Sequence, residues 1–271
     1  MKNVFLLLKV YKMQKPLILV TNDDGITAPG LRSLVSFMKD FYDIIVVAPD
    51  SPQSGMGHAI TIDKTLFSKK ILIDSESGTL EEYSCSGTPA DCVKLAIREL
   101  LDRKPDLVIS GINHGSNSSI NVIYSGTMSA AIEAGIEGIP AIGFSLCDYS
   151  WEADFSPAKE AIQKIVKEAI ENGIPKDVVL NVNIPKLVKK DIKGIKICRQ
   201  ARANWKEEFD KRVSPMGKEY YWLSGEFELL DKGTDTDEWA LSQGYVSIVP
   251  TQFDLTAHHA IQHINNWNLS E

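Results

Sequence analysis

Apolar residues fall into short, nearly continuous runs separated by stretches of helical period. The runs are Leu17–Val20, Ile44–Ala48, Leu107–Ile109, Ala141–Phe144 and Val178–Val182. A strand wetted on one side alternates apolar and polar positions, whereas one covered on both faces does not. Continuous runs therefore predict a parallel sheet between helices. Between them, Leu31, Leu34, Val35 and Met38 repeat at i, i+3, i+4, i+7, and Val93, Ala96, Ile97, Leu100 and Leu101 follow the same period. The longest stripe is Ala158, Ala161, Ile162, Ile165, Val166, Ala169 and Ile170. Thr88-Pro89 reads as an N-cap followed by proline at the first helical position. This alternation predicts an α/β domain with a doubly wound, mostly parallel sheet over residues 16–185.

Residues 186–240 break the pattern. They are charged, with Trp205, Phe209, Tyr220, Tyr221 and Trp222 scattered among them. Ile195–Cys198 and Tyr220–Leu223 are candidate strands of an arm or hairpin. Tyr245–Val249 predicts one more core strand, and Leu255–Ile264 a short helix, within a closing segment 241–271. Residues 1–15 read as an extension, with Met13 a candidate start. Its apolar run Val4–Leu8 is followed by Lys9 and Lys12 rather than a small-residue cleavage site, against a secretion signal. No run approaches the ~20 apolar residues that span a bilayer.

Charge narrows the partners. With 29 basic and 36 acidic residues the net charge is −7, so no bulk attraction draws the chain to nucleic acid polymers or an anionic membrane. A small anionic substrate remains compatible, because a metal or a helix N-terminus acts locally. Cys85, Cys92, Cys147 and Cys198 form no C-x-x-C pair and read as reduced core residues of a cytoplasmic protein.

In an open α/β sheet, ligands bind beyond the carboxyl ends of the strands. Strand one is followed by Thr21-Asn22-Asp23-Asp24-Gly25, strand two by Pro49-Asp50-Ser51-Pro52-Gln53-Ser54-Gly55, and strand three by Ser110-Gly111-Ile112-Asn113-His114-Gly115-Ser116-Asn117. Three loops at one edge thus carry oxygen donors. Neighbouring carboxylates repel unless a countercharge joins them or one pKa rises. A hard divalent cation supplies that charge, and oxygen-only donors suit Mg²⁺ or Mn²⁺ rather than zinc. Alone, Asp23 and Asp24 read sooner as a helix cap or a turn with Gly25; the matching loops reverse that in favour of the metal. Tyr124-Ser125-Gly126-Thr127 places hydroxyls and free N–H groups at a helix start, either an anion site or an ordinary N-cap.

Other features carry less. Gly55-Met56-Gly57 follows the second strand and lacks the rest of a dinucleotide fingerprint, and no P-loop is present. His58 and His114 are each a candidate proton donor or a polar loop residue. His258-His259 reads as surface.

Taken in order, Val20-Thr21-Asn22-Asp23-Asp24-Gly25, Val47-Ala48-Pro49-Asp50 with Ser54 and Gly55, Ser86–Val93, Ser110–Asn117 and Tyr124–Thr127 resemble the successive motifs of the SurE (survival protein E) family. Leu180–Pro185 and Asp254-Leu255-Thr256 extend the match. The resemblance implies a Rossmann-like core with a projecting C-terminal β-hairpin arm exchanged between subunits of a homodimer or homotetramer. It implies one divalent ion per subunit, Mn²⁺ or Mg²⁺, held by Asp23, Asp24, Ser54 and Asn113, and phosphate contacts from Asn117, Ser125, Gly126 and Thr127. The implied activity is hydrolysis of nucleoside 5′-monophosphates, with 3′-monophosphates and short polyphosphate as further substrates. Asp23 and Asp24 are the catalytic candidates, through the metal or as general base. Two alternatives stand beside this. An aspartyl-phosphate enzyme needs an acid two positions after the first, where this chain has Gly25. A non-catalytic nucleotide- or phosphate-sensing module would bind without hydrolysis.

Overall fold

The computed structural model describes residues 15–71, 78–150 and 152–269. Apart from Lys15, the expected extension, Met13 included, lies outside the described residues. The first runs form β1 (Leu17–Thr21), α1 (Pro29–Met38) and β2 (Asp43–Pro49), followed by β3 (Ser68–Lys70) and β4 (Glu81–Cys85). Next come α2 (Pro89–Leu95), β5 (Leu107–His114), α3 (Gly126–Ile136), β6 (Ala141–Leu146), α4 (Lys159–Asn172) and β7 (Val178–Ile184). Last are β8 (Ile195–Ile197), β9 (Ala203–Val213), β10 (Glu219–Leu229), α5 (Asp237–Ser242), β11 (Val246–Gln252) and α6 (His258–Asn265).

Nine strands form one sheet in the order β3-β4-β2-β1-β5-β6-β7-β11-β8. It is parallel from β4 to β7, and β11 runs antiparallel to β7. The continuous runs arise because side chains of one strand enter two different cores. Ile18 and Val20 pack with Leu31, Leu34, Ile162 and Val166 on the α1/α4 face. Leu17 and Leu19 pack with Val93, Ala130 and Ala134 on the α2/α3 face. Each such side chain taken out of water contributes about 1.5–3 kcal/mol. Thr88 caps α2 as its sequence predicts, in a reciprocal pair with Asp91. The helix expected to run on to Leu101 instead passes into a π-turn at Ala96–Leu100.

Three placements differ from the sequence expectation. Ile195–Cys198, read as an arm strand, contributes β8, which pairs parallel with β11 at the edge of the main sheet. Of residues 186–240, the arm proper is the two-stranded ribbon β9–β10, running from Ala203↔Leu229 to Val213↔Glu219. The sheet also gains β3 and β4, which no apolar run announces. Glu82 of β4 is buried because Arg32 of α1 meets its carboxylate at 2.8 Å.

β1 leads outward through β2 to β4, and the chain then returns to lay β5 on the other side of β1. The crevice between the carboxyl ends of β1 and β5 is the topological switch point, where loops diverge and a ligand can enter.

Candidate active site

Asn22, Asp23 and Asp24 leave the end of β1 at that crevice. Gly25 follows with φ +101°, a left-handed turn that glycine adopts without steric cost. Two backbone hydrogen bonds draw the loop after β2 against this turn: Ile26 N–H to the Pro49 carbonyl at 2.8 Å, and Gln53 N–H to the Asp23 carbonyl at 2.7 Å. Ser54, next in that loop, is exposed. From β5, the His114 N–H reaches Asp24 Oδ2 at 3.4 Å, while Asn113 Nδ2 donates to the Gly115 carbonyl at 2.9 Å. The turns after β1 and β2 and the end of β5 therefore meet at one place.

The N-terminus of α3 closes the site from the other side. Thr127 Oγ1 donates to Asp23 Oδ1 at 2.5 Å. Gly126 allows that approach, since a Cβ there would stand 2.6 Å from Asp23 Cβ and 2.9 Å from Oδ2. Ser125 caps the helix by accepting from Met128 N–H at 3.0 Å. Its own hydroxyl proton is free to face an anion.

Burial dominates the electrostatics of the pair. Asp23 is pushed up to about 6 by burial and by the neighbouring Asp24 charge, partly offset by the Thr127 hydroxyl. Asp24, more open, is raised by burial against the His114 N–H contact. Among the described residues no Lys, Arg or His forms an ion pair with either carboxylate. In β1, the turn after it and β5, Thr21 Oγ1, Asn22 Oδ1 and Ser110 Oγ are buried and lack hydrogen-bond partners, and Thr21 stands in register with Ser110. Two neighbouring carboxylates raised by burial, with no ion pair to either among the described residues, suit a hard divalent ion.

The network behind the site carries residues to which sequence reasoning gave no role. Asn117 N–H donates to Asn183 Oδ1 at 2.8 Å, and its Nδ2 donates to Ser145 Oγ at 2.8 Å. Asn181 Nδ2 reaches the Asn117 carbonyl at 2.8 Å. Asn181, Asn183 and Ser145 are all buried. Their signal in the sequence is polar residues inside otherwise apolar strands, which a buried sheet tolerates only when they are hydrogen-bonded.

The histidines divide. His58 Nε2 lies 2.9 Å from Glu133 Oε2, and Lys94 Nζ lies 2.6 Å from Oε1 of the same buried carboxylate. This ties the loop after β2 to α2 and α3 instead of presenting His58 to the carboxylate pair. The His114 ring faces Phe155 at 5.0 Å, and its Nδ1 meets the Ser150 carbonyl. His258 and His259 lie exposed on α6. No helix among the described residues is long and apolar enough to cross a membrane.

Known proteins resemble the chain in sequence and in fold. The family model "Survival protein SurE" matches residues 18–207. A protein of Flavobacterium psychrophilum named 5′-nucleotidase SurE is 67% identical over 96% of this chain and 100% of its own length. One of the same name from Christiangramia forsetii is 69% identical over 95% and 99%. The crystal structure of the SurE protein from Aquifex aeolicus superposes with a TM-score of 0.79 at 40% identity, covering 92% of this chain and 98% of that one.

Proposed function

The chain belongs to the survival protein SurE family, and from that premise we propose that it is a metal-dependent phosphomonoesterase releasing phosphate from nucleoside 5′-monophosphates. The observation that carries this reading is the pair Asp23 and Asp24. Both are raised by burial and neither is ion-paired; Asp23 meets the start of α3 and Asp24 meets β5 at the switch point. Nucleoside 3′-monophosphates and short polyphosphate present the same terminal phosphate and fall within its scope. The high identity to relatives named 5′-nucleotidase over nearly their whole length supports the substrate class.

One divalent ion per subunit, Mn²⁺ or Mg²⁺, is assigned to Asp23, Asp24, Ser54 and Asn113. When bound it supplies the Lewis acidity that neutralises phosphate charge and acidifies water. The protein supplies position and charge around it. Thr127 holds Asp23 in place through its hydroxyl. Ser125 and the N–H of Gly126, at the positive end of α3, receive phosphate oxygens. Asn117 keeps one amide proton beyond its bond to Ser145 and completes that cradle. Asp24, the more open carboxylate, is placed to accept a proton from the attacking water.

The arm is assigned to a homodimer or homotetramer. A two-stranded ribbon is marginal in water, and this one exposes Phe209, Tyr221, Trp222 and Leu223. A cytoplasmic enzyme acting on soluble nucleotides accords with four free cysteines.

The test is phosphate release from AMP and GMP with Mn²⁺ or Mg²⁺, against an EDTA control and Asp23→Asn. Metal-dependent release by the wild type, and none by the folded variant, is expected. Nucleotide binding with no release would point to a sensor, and a trapped phosphoenzyme to aspartyl-phosphate chemistry; either would overturn the reading.

A further inference from the structure

The loop after β6 contributes a side chain that the metal and phosphate assignments leave unused. Tyr149 is 71% exposed at the carboxyl edge of the sheet, beside the loop that follows β5. Its phenolic oxygen accepts a hydrogen bond from Ser116 N–H at 3.2 Å. Its ring lies against Gly115, where a Cβ would stand 2.3 Å from Tyr149 Cε1 and 2.6 Å from Cδ1. Gly115 has φ +94°, so glycine serves there both the backbone and the ring. The carbonyl of the same Gly115 receives the Asn113 side chain at 2.9 Å. A short path thus runs from the proposed ligand Asn113, through Gly115, to an aromatic ring fixed at one end and open to solvent.

We propose that Tyr149 is the nucleobase platform of the site, a specificity-determining residue on which the base of a nucleoside monophosphate stacks. This rests on the phosphatase reading, which places the phosphate at Asp23, Asp24 and the start of α3 and leaves the nucleoside to extend away from them. Aromatic stacking tolerates any base, because every base has a π-face. The platform therefore selects nucleotides over simple phosphate esters without strong preference among bases. A preorganised ring loses little freedom when a base binds, which favours this position. Tyr124 is also exposed, at 53%, but it directly precedes Ser125 and lies at the phosphate end of the crevice.

The experiment compares wild type, Tyr149→Ala, Tyr149→Phe and Tyr124→Ala as full-length proteins in saturating Mn²⁺. It measures KM and kcat for AMP, and inhibition of AMP hydrolysis by inorganic phosphate. Tyr149→Ala should raise KM for AMP about tenfold, the range of one lost base–aromatic contact, with kcat changed by less than about twofold. Its inhibition constant for inorganic phosphate, which has no base, should stay at the wild-type value. Tyr149→Phe restores the ring without the phenol and should recover most of the loss. Equal weakening of AMP and inorganic phosphate in Tyr149→Ala would assign the residue to loop structure and overturn the platform. So would an unchanged KM, or a base-dependent loss found in Tyr124→Ala alone. A wild type that releases no phosphate from AMP would overturn the phosphatase reading and the platform with it, whereas an active wild type with an indifferent Tyr149→Ala overturns the platform only.

Discussion

Replacing Gly126 by alanine tests how tightly α3 must approach Asp23. The added Cβ would sit 2.6 Å from Asp23 Cβ, almost an ångström closer than the 3.4 Å at which ordinary contact begins. Both neighbours are buried, so neither can swing aside. The helix start must retreat, and the Thr127–Asp23 hydrogen bond of 2.5 Å must lengthen. Overpacking of this kind costs about 1–3 kcal/mol. Exchanging glycine for alanine in a helix returns about 1 kcal/mol at most. The net expectation is a loss of up to about 2 kcal/mol, where helix propensity alone gives a gain. A displacement of this size at a site of reaction costs on the order of 10²-fold in rate. Urea unfolding gives the first quantity, and steady-state AMP hydrolysis in excess Mn²⁺ gives kcat/KM. A Gly126→Ala protein as stable as wild type, with kcat/KM within a factor of about three, would refute the close approach and the positioning role of Thr127.

Further outcomes follow from the charges. In EDTA, the Asp23 carboxyl titrates near 6 in the folded chain against an ordinary value of 3.8. A raised carboxylate makes the folded state bind protons more tightly, so stability should fall as pH rises from about 4 to about 6, by about 3 kcal/mol at most. Thermal unfolding should show this slope in wild type, and both Asp23→Asn and added Mn²⁺ should flatten it. Burial pushes the Glu133 carboxyl up, but hydrogen bonds from His58 and Lys94 outweigh it and hold it below the ordinary range. Its contribution is therefore present at neutral pH and lost on acidification. Glu133→Gln should cost about 1–3 kcal/mol at pH 7, with the difference from wild type shrinking below pH 4. Asn183→Ala leaves the Asn117 N–H without its acceptor and the Asn181 Oδ1 without its donor. It should cost about 1–3 kcal/mol and weaken competitive inhibition by inorganic phosphate; an unchanged inhibition constant would detach that network from the site.

The sheet was legible where burial on both faces leaves apolar residues no alternation, as in Leu17–Val20 and Ile44–Ala48. It was illegible where partners lie far along the chain. β4 reads Glu-Glu-Tyr-Ser-Cys, and its buried Glu82 is neutralised by Arg32, 50 residues away. β8 reads like arm sequence because its strand neighbour, β11, lies some fifty residues later in the chain. β9 and β10 give no burial pattern because nearly every side chain in them is exposed. At the site, adjacency made Asp23 and Asp24 conspicuous, and the glycine-hydroxyl sequence marked the start of α3. The Asn117–Asn183 and Asn117–Asn181 bonds span 66 and 64 residues and leave only isolated polar letters in apolar strands. Tyr149 lies in an irregular loop, and only contact with Gly115 and Ser116 singles it out.

The claim beneath all of this is that one divalent ion joins Asp23 to Asp24. Anomalous diffraction from crystals grown in Mn²⁺ tests it directly. The expected result is one strong peak per subunit, bounded by both carboxylates with Ser54 and Asn113, and its disappearance in Asp23→Asn crystals of unchanged fold. Manganese bound elsewhere, or none at saturating concentration with the two carboxylates held apart, would contradict it.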